Sequence, residues 1–537
     1  MSDRLKLSAS MAWSIPPLKP KVTLCKCRTK LSVTWCSTVP LSLLVLLLAG
    51  LSTAGPPQPA RPPLLSGQPF IIFWAISDSS CATRPDPGSF GMEREGRVVV
   101  FYEDTLGNYP YFLDKDTRIN GGLPQHTRLD NHLQKTQLDL DAGLPAPRYL
   151  GLGVLRWSAW LPQWLRNKEK KAVYQEASRN LLKAFFPNWT PEEVEKWSRV
   201  DFEAAAQSVI METLREVKRL RPKALWGVSP YPSCYNGDAA QTAFANYTSQ
   251  CPPAEKALND ELLWLWRRSS ALYPLLSLEK LQGGTSGGRL YLSSEIQEAL
   301  RVSSLAGAAF NLPVFPLVNS VYASTNTFLS QADLVSSIGE SAAMGTAGVV
   351  IWQRTDTKTE RECQDLAEFI RKVLGPYSIN VTTATRLCSA SLCQGKGRCV
   401  RQNPDSSAYL HLPPPPDMTE KVTEKAEAVK ATSQPDPDAK AAEPDPAEIW
   451  KKDFQCQWYK TTDRDVSDQQ SPKDGTSVGG MLEQISTDLR GTSATFTVDS
   501  ITKGASVIKP SGSGSALTAA NRYIILLLLV TACLTVD

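Results

Sequence analysis

The stretch Gly151-Leu-Gly-Val-Leu-Arg-Trp-Ser-Ala-Trp160 decides how this chain is read. Tyr149 to Leu155 has the length and apolar content of a buried strand. It runs into an aromatic loop closed by Trp160, Pro162 and Trp164. In a barrel enzyme the C-terminal end of such a strand is where chemistry sits. Arg156, Trp157 and Ser158 are therefore the first residues to question.

Comparable apolar runs recur at Phe70–Ile76, Val98–Tyr102, Ala224–Val228, Tyr273–Leu278, Pro313–Val318 and Ala347–Trp352. Longer helix-like segments alternate with most of them. One helix start is well marked: Thr190 is an N-cap, Pro191 takes the first helical position and Glu193 completes a capping box. That helix is expected to stop at Arg221-Pro222. Alternation of β and α over some 300 residues predicts an α/β fold, either a parallel barrel or a doubly wound sheet.

The opening stretch closely resembles the hyaluronidase family of glycoside hydrolases, whose motif reads G-L-A-V-I-D-W-E-x-W. The resemblance covers roughly Leu64 to Tyr459. Further elements stand in the family's order: Leu106-Gly-Asn-Tyr-Pro-Tyr111, Gly121-Gly-Leu-Pro-Gln125, Leu225-Trp-Gly227 with Cys234-Tyr-Asn236, Asn259-Asp-Glu-Leu-Leu-Trp-Leu-Trp266, Gly339-Glu-Ser-Ala-Ala343 with Gly348-Val-Val-Ile-Trp352, and Cys393-Gln-Gly-Lys-Gly-Arg-Cys-Val-Arg401. It implies a distorted, TIM-like (β/α) barrel of about seven strands, followed by a small disulfide-rich, growth-factor-like module. By position it also implies disulfides Cys81–Cys363, Cys234–Cys251, Cys388–Cys399 and Cys393–Cys456. The module departs from the family where Trp458 stands in place of a cysteine.

The family's chemistry needs an acid pair that this chain lacks. Hyaluronidases use the substrate's own N-acetyl carbonyl as nucleophile, with a Glu as proton donor and a neighbouring Asp. Here Arg156 stands at the Asp and Ser158 at the Glu. A serine hydroxyl is too weak an acid to replace a carboxylic acid, and arginine is permanently cationic and donates only. Loss of general-acid catalysis alone costs roughly 10²–10⁴-fold. The implied substrate pocket has changed with it: Ser229 and Ser277 fall at family tyrosines, Ser233 at an acid and Glu295 at an arginine. Trp352 persists, and with Trp157 and Trp160 it reads either as an aromatic wall for sugar rings or as core filling.

The ends place this fold in the secretory route. Residues 1–54 read as a signal peptide with a long basic n-region, the alternative being an uncleaved signal anchor. A Pro-rich lead-in follows at 55–63, then the barrel at 64–380 and the module at 388–460, the latter with a Pro/Lys/Glu-rich insertion at 413–448. Residues 461–515 read as a disordered stalk, and 516–537 as the signal tail of a glycolipid anchor, with Ser513, Gly514 and Ser515 as attachment sites. A short transmembrane tail is the competing reading. Removing both ends takes four of the 12 cysteines and leaves an even eight, the arithmetic of disulfides. Asn188, Asn246 and Asn380 begin glycosylation sequons.

No other site competes. A chain of 537 residues with net charge +4 does not suggest nucleic acid as a partner. His126, His132 and His411 are too few and too scattered for a metal cluster. Gly283 to Gly288 is expected as a flexible loop, and it lacks the ending of a phosphate cradle. Glu340 is expected to hydrogen-bond in the barrel floor, and Asp201, Glu203 and Glu298 to lie on solvated helix faces. No cofactor is implied. The sequence thus predicts a glycan-binding or adhesive protein on the outer face of the plasma membrane, with lost or weak hydrolysis of hyaluronan or chondroitin. The alternatives are an active hyaluronidase using a non-standard acid, and a purely structural surface protein.

Overall fold

The computed structural model describes residues 58–76, 81, 84–234, 250–323, 325–354, 359–412 and 446–460. Asn246 and the anchor residues Ser513, Gly514 and Ser515 lie outside them, as do most of the insertion, the stalk and both ends. All seven apolar runs form strands: β1 (Ile71–Trp74), β2 (Val98–Phe101), β5 (Leu152–Arg156), β6 (Leu225–Ser229), β7 (Leu275–Leu276), β8 (Leu317–Asn319) and β9 (Gly348–Trp352). A short hairpin, β3 (Tyr111–Phe112) with β4 (Arg118–Ile119), lies between the second and third of them.

The seven strands pair in parallel as two sheets, ordered β1-β9-β8-β7 and β2-β5-β6. Backbone hydrogen bonds reach across the gaps between the sheets. Ser270 N, just before β7, donates to Trp226 O of β6 at 2.6 Å, and Trp74 N of β1 donates to Glu93 O, just before β2, at 2.7 Å. All five residues of β5 and of β6 are buried, as expected where both faces of a parallel sheet are covered.

One glycine in β5 and one in β6 are packing requirements. Gly153 pairs in register with Trp226, and a Cβ on it would sit 2.4 Å from that indole ring. A Cβ on Gly227 would meet the carbonyl oxygen of Ala271 at 2.3 Å. The two strands therefore approach their neighbours only because these positions carry no side chain.

Helices alternate with the strands: α1 (Leu129–Gly143), α2 (Ala172–Phe185), α3 (Pro191–Leu220), α4 (Pro253–Glu261), α5 (Leu263–Arg268) and α6 (Ser286–Ala306). The capping box of α3 is present: Thr190 Oγ1 accepts from Glu193 N at 3.2 Å, and Glu193 Oε2 accepts from Thr190 N at 2.9 Å. The helix stops at Leu220, as the sequence predicts. Thr285 caps α6 by accepting from Gly288 N at 2.9 Å. Ser286 to Gly288 therefore form the first turn of a helix, where a loop was expected. Next come α7 (Gln331–Leu334) and α8 (Glu340–Ala343), joined by the π-helical turn Val335–Gly339.

After β9 the chain runs through α9 (Glu360–Phe369), a second π-helical turn and α10 (Gly375–Cys393), which crosses the expected boundary between barrel and module. The C-terminal part is an antiparallel pair, β10 (Gly397–Arg401) with β11 (Phe454–Trp458), plus α11 (Pro446–Lys451). All four implied disulfides are formed. Cys81–Cys363 spans 282 residues, and in the chain-entropy account closing such a loop stabilises by on the order of 5 kcal/mol. The lead-in is tied down too: Ala60 N donates to Trp458 O and Lys460 N to Ala60 O, both at 2.8 Å. The described residues form one compact unit.

Candidate active site

Parallel strands end on one side of the sheet, so their C-terminal residues gather there. That set comprises Tyr102 after β2, Arg156 of β5, Ser229 of β6, Ser277 after β7, Asn319 of β8 and Trp352 of β9. Arg156 is the register partner of Ser229, and Asn319 of Trp352. Beside Trp352 lies a cavity of about 430 Å³, bounded also by Asn319, Tyr322, Asn326, Gln353 and Arg354.

Arg156 is 9% exposed, and its Cζ lies 5.1 Å from the centroid of the Trp352 ring. Its Nε and Nη1 are buried and have no hydrogen-bond partner among the described residues. Burial pulls its pKa down from the ordinary arginine value, with Glu103 acting in the opposite direction. A buried guanidinium is tolerated mainly when paired. Here the pairing is incomplete.

Glu103 is the carboxylate that sequence reasoning missed. It is 6% exposed, and its Oε1 accepts from Ser158 N at 2.8 Å, Ser158 Oγ at 3.2 Å and Ala159 N at 3.1 Å. Its Oε2 lies 3.8 Å from Arg354 Nη1, and Arg354 Nη2 in turn holds Asp104 at 3.3 Å. The signal was in plain view: Tyr102-Glu103-Asp104 is an acidic pair directly after a strand. Lys171 closes the loop from the other side, donating to the carbonyl oxygens of Ser158 and Ala159. Burial lowers its pKa to about 8, with the Arg156 charge adding to the shift.

The other predicted positions fall into three places. Ser229 Oγ is fully buried without a partner, as is the hydroxyl of Tyr231 two residues on. Ser277 is half-buried at the end of β7. Ser233 and Glu295 lie apart, under the Cys234–Cys251 bridge: Ser233 O accepts from Asn259 Nδ2 at 2.9 Å, and Glu295 Oε2 accepts from Cys234 N at 3.0 Å. Burial raises the Glu295 pKa to about 8.

The aromatic walls divide as well. Trp157 and Trp160 are core residues, 2% and 1% exposed and packed on Tyr109 with ring centroids 4.7 and 4.9 Å away. Only Trp352 of the three is open to the cavity. Its Nε1 donates to the Tyr102 hydroxyl at 2.7 Å.

Several carboxylates and histidines sit elsewhere. Glu298 corrects the solvated-face expectation: it is 2% exposed and bridges Asn259 Nδ2 at 2.7 Å to Arg301 at 2.8 Å. Glu203 accepts from Trp164 N at 2.8 Å, while Asp201 is exposed as expected. Glu340 pairs with Arg401 from the module instead of bonding within the barrel floor. His126 is exposed, with Nδ1 2.7 Å from Gly121 O. His132 is buried against Thr213 at 2.8 Å, and burial lowers its pKa to about 4. His411 meets the Tyr377 hydroxyl at 3.0 Å. Among the described residues no group of three or more His, Cys, Asp or Glu side chains could hold a metal ion. Asn188 is exposed, whereas Asn380 is half-buried with Oδ1 accepting from Leu412 N at 3.1 Å.

This frame has a counterpart among known proteins. A family model described as hyaluronidase matches residues 59–471, more than half of the chain. The chain belongs to the hyaluronidase family. It is 39% identical over 385 residues to human Hyaluronidase-2, covering 70% of this chain and 81% of that protein. It is likewise 39% identical to human Hyaluronidase-1, over 66% of this chain and 84% of that protein. Among solved structures, bee venom hyaluronidase superposes with a TM-score of 0.52 at 27% identity, covering 58% of this chain and 99% of that one. The same enzyme in complex with a hyaluronic acid tetramer gives 0.52 at 26% identity, covering 57% of this chain and 98% of that one. Within the hyaluronidase frame, then, the end of β5 presents a cation and a hydroxyl, with the nearest carboxylate acting as a hydrogen-bond acceptor.

Proposed function

We propose that this protein is a cell-surface member of the hyaluronidase family that binds a glycosaminoglycan, hyaluronan or chondroitin, without hydrolysing it efficiently. What supports this reading is the end of β5, which presents Arg156 and Ser158 where the resemblance in sequence puts the family's acid pair. Neither can deliver a proton to a leaving oxygen. Glycan binding is supported by the cavity beside Trp352 and by the hyaluronic acid tetramer bound to the bee venom relative.

The finer architecture follows the same reading. A closed barrel is supported by the bonds from Ser270 to Trp226 and from Trp74 to Glu93, which link the two sheets at both edges. A growth-factor-like module is supported by the β10–β11 pair and two disulfides. Delivery to the outer face of the plasma membrane on a glycolipid rests on the apolar leader and on the tail at 516–537. No helix among the described residues is long and apolar enough to cross a membrane, and the tail lies outside them.

One observation favours a second reading, an active enzyme with a recruited acid: Glu103 lies 3.2 Å from Ser158 Oγ. Its contacts oppose that role. Three donors converge on Oε1 and a guanidinium faces Oε2, so Glu103 accepts throughout and aims no proton at a substrate.

The test is reducing-end release from hyaluronan and chondroitin by the purified full chain, from acidic to neutral pH. No more than trace turnover is expected. Turnover at the rate of an ordinary hyaluronidase, lost in Glu103→Gln, would establish the second reading and overturn the first.

A further inference from the structure

Four buried donor atoms without partners cluster at the ends of β5 and β6: Arg156 Nε and Nη1, Ser229 Oγ and the Tyr231 hydroxyl. Arg156 and Ser229 are cross-strand partners, and Tyr231 is close enough to Arg156 for each to influence the other's charge. Unsatisfied groups of this kind are uncommon in native interiors, and a buried cation without an acceptor is the costliest of them. The neighbouring carboxylates are already engaged, Glu103 by Ser158, Ala159 and Arg354, and Asp104 by Arg354. With Lys171 the cluster holds three cations against two carboxylates, so the local charge is positive.

We infer that Arg156, backed by Ser229 and Tyr231, is a binding site for the carboxylate of an acidic sugar. The inference rests on the glycan-binding reading above and names the group recognised. Arg156 lies against the Trp352 ring that walls the cavity, and Arg354 stands on the same wall. An acidic sugar entering the cavity beside Trp352 would meet, behind that ring, a guanidinium whose planar fork favours paired hydrogen bonds to a carboxylate. On this view the substitution of Arg156 replaced proton chemistry by recognition of charge.

The experiment measures binding to the full chain, purified in detergent, of three probes: a hyaluronan octasaccharide, the same oligosaccharide with its carboxylates reduced to alcohols, and free sodium glucuronate. Native protein should prefer the acidic oligosaccharide on the order of tenfold or more. In Arg156→Gln that preference should vanish. Tyr231→Phe should reduce it while leaving the fold intact by near-ultraviolet circular dichroism. Arg156→Met should raise the thermal midpoint of the ligand-free protein, because an unpaired buried cation is removed. Equal binding of the acidic and reduced oligosaccharides would overturn the inference and leave glycan binding standing. Binding of neither oligosaccharide would overturn the glycan reading itself. Saturation by glucuronate at the concentration at which the octasaccharide binds would show an adventitious ion only, and would also overturn the inference.

A separate observation concerns the corner between α2 and α3. Phe185 is 71% exposed, Phe186 43% and Trp197 44%, and the Phe186 and Trp189 rings stack with centroids 4.0 Å apart. Trp189 also meets Trp197 with centroids 6.5 Å apart, so Phe186, Trp189 and Trp197 form a run of partly exposed rings, and such a patch normally has an occupant. Beside these rings sits the sequon Asn188-Trp189-Thr190, with Asn188 and Thr190 exposed and Trp189 half-buried, on a turn closed by Trp189 N donating to Phe186 O at 3.2 Å. The geometry points to an N-linked glycan on Asn188 whose first sugar lies over these rings, its apolar C–H face on theirs.

Two variants remove the sequon: Asn188→Gln, and Thr190→Asp, which keeps an N-cap on α3. Each should increase binding of a hydrophobic dye relative to native protein from mammalian cells, and adding Phe186→Ser with Trp197→Ser should abolish the increase. An unmodified Asn188 by peptide mass, or dye binding unchanged by enzymatic deglycosylation, would overturn this assignment.

Discussion

Glu340 of α8 and Arg401 of β10 form a two-pronged ion pair with both side chains at 0% exposure, at 2.5 and 3.1 Å. Arg401 also donates to Pro404 O at 2.6 Å and Ala408 O at 3.3 Å, so one guanidinium ties the module's loop to the helix before β9. Removing one member leaves the other as a buried, unpaired charge. Glu340→Gln should therefore lower the unfolding free energy by about 3–5 kcal/mol in chemical denaturation. Glu340→Leu combined with Arg401→Met should recover part of that loss.

Acids placed at positions 156 and 158 should not by themselves produce the turnover of an ordinary hyaluronidase. In Arg156→Asp with Ser158→Glu, the new glutamate would stand where Ser158 now contacts Glu103 at 3.2 Å, setting two carboxylates against each other. Adding Glu103→Ser should raise reducing-end release by about tenfold over the double variant, equivalent to about 1.4 kcal/mol of barrier. A double variant that alone reached the rate of an ordinary hyaluronidase would contradict this account of the pocket.

Stability should depend on Glu295 across the neutral range. Burial lifts its pKa from 4.5 to about 8, with Glu298 and Glu255 adding to the rise and Cys234 N–H and Arg166 opposing it. The folded state therefore holds a proton that the unfolded state has released between those values. The stabilisation from this group is full below pH 4.5 and is lost as pH rises toward about 8. Its slope is at most about 1.4 kcal/mol per pH unit. Glu295→Gln should flatten the fall in thermal midpoint over that window, and an unchanged profile would remove Glu295 as the cause.

The anchor reading makes its own forecast. Tyr523–Val536 as a helix at ~1.5 Å per residue is near 21 Å long, short of ~30 Å of hydrocarbon. Phosphatidylinositol-specific phospholipase C should release the protein from intact cells. Bulky replacements at Ser513, Gly514 and Ser515 should hold it inside. Protein that stays on the surface after lipase treatment, with Cys533 still in it, would identify an uncut tail.

The parallel strand plan was legible because each of its seven strands lies in a mainly apolar run, as buried parallel strands require, whereas the β3–β4 hairpin carries no such run. The α3 boundaries were legible because a capping box and a proline mark a start and a stop chemically. The pairing at Glu340 was not, since its partner lies 61 residues away and arginine carries no local signature of burial. Glu103 was missed for a related reason: position in the family motif drew attention to Arg156 and Ser158, while the residue that binds Ser158 comes from a different strand end. Trp157 and Trp160 show the limit of composition. A tryptophan near a site reads as a sugar platform or as core, and only the stacking on Tyr109 distinguishes them.

The disulfide layout also determines what a protease can do to this molecule. A single cut anywhere between Cys81 and Cys363 leaves two fragments that remain covalently joined. A cut in the lysine-bearing insertion falls inside the Cys393–Cys456 bridge, so β11 stays attached after nicking. Such protein would migrate as one band without reductant and as two with it, and proteolytic trimming would change the chain count while leaving the fragments joined.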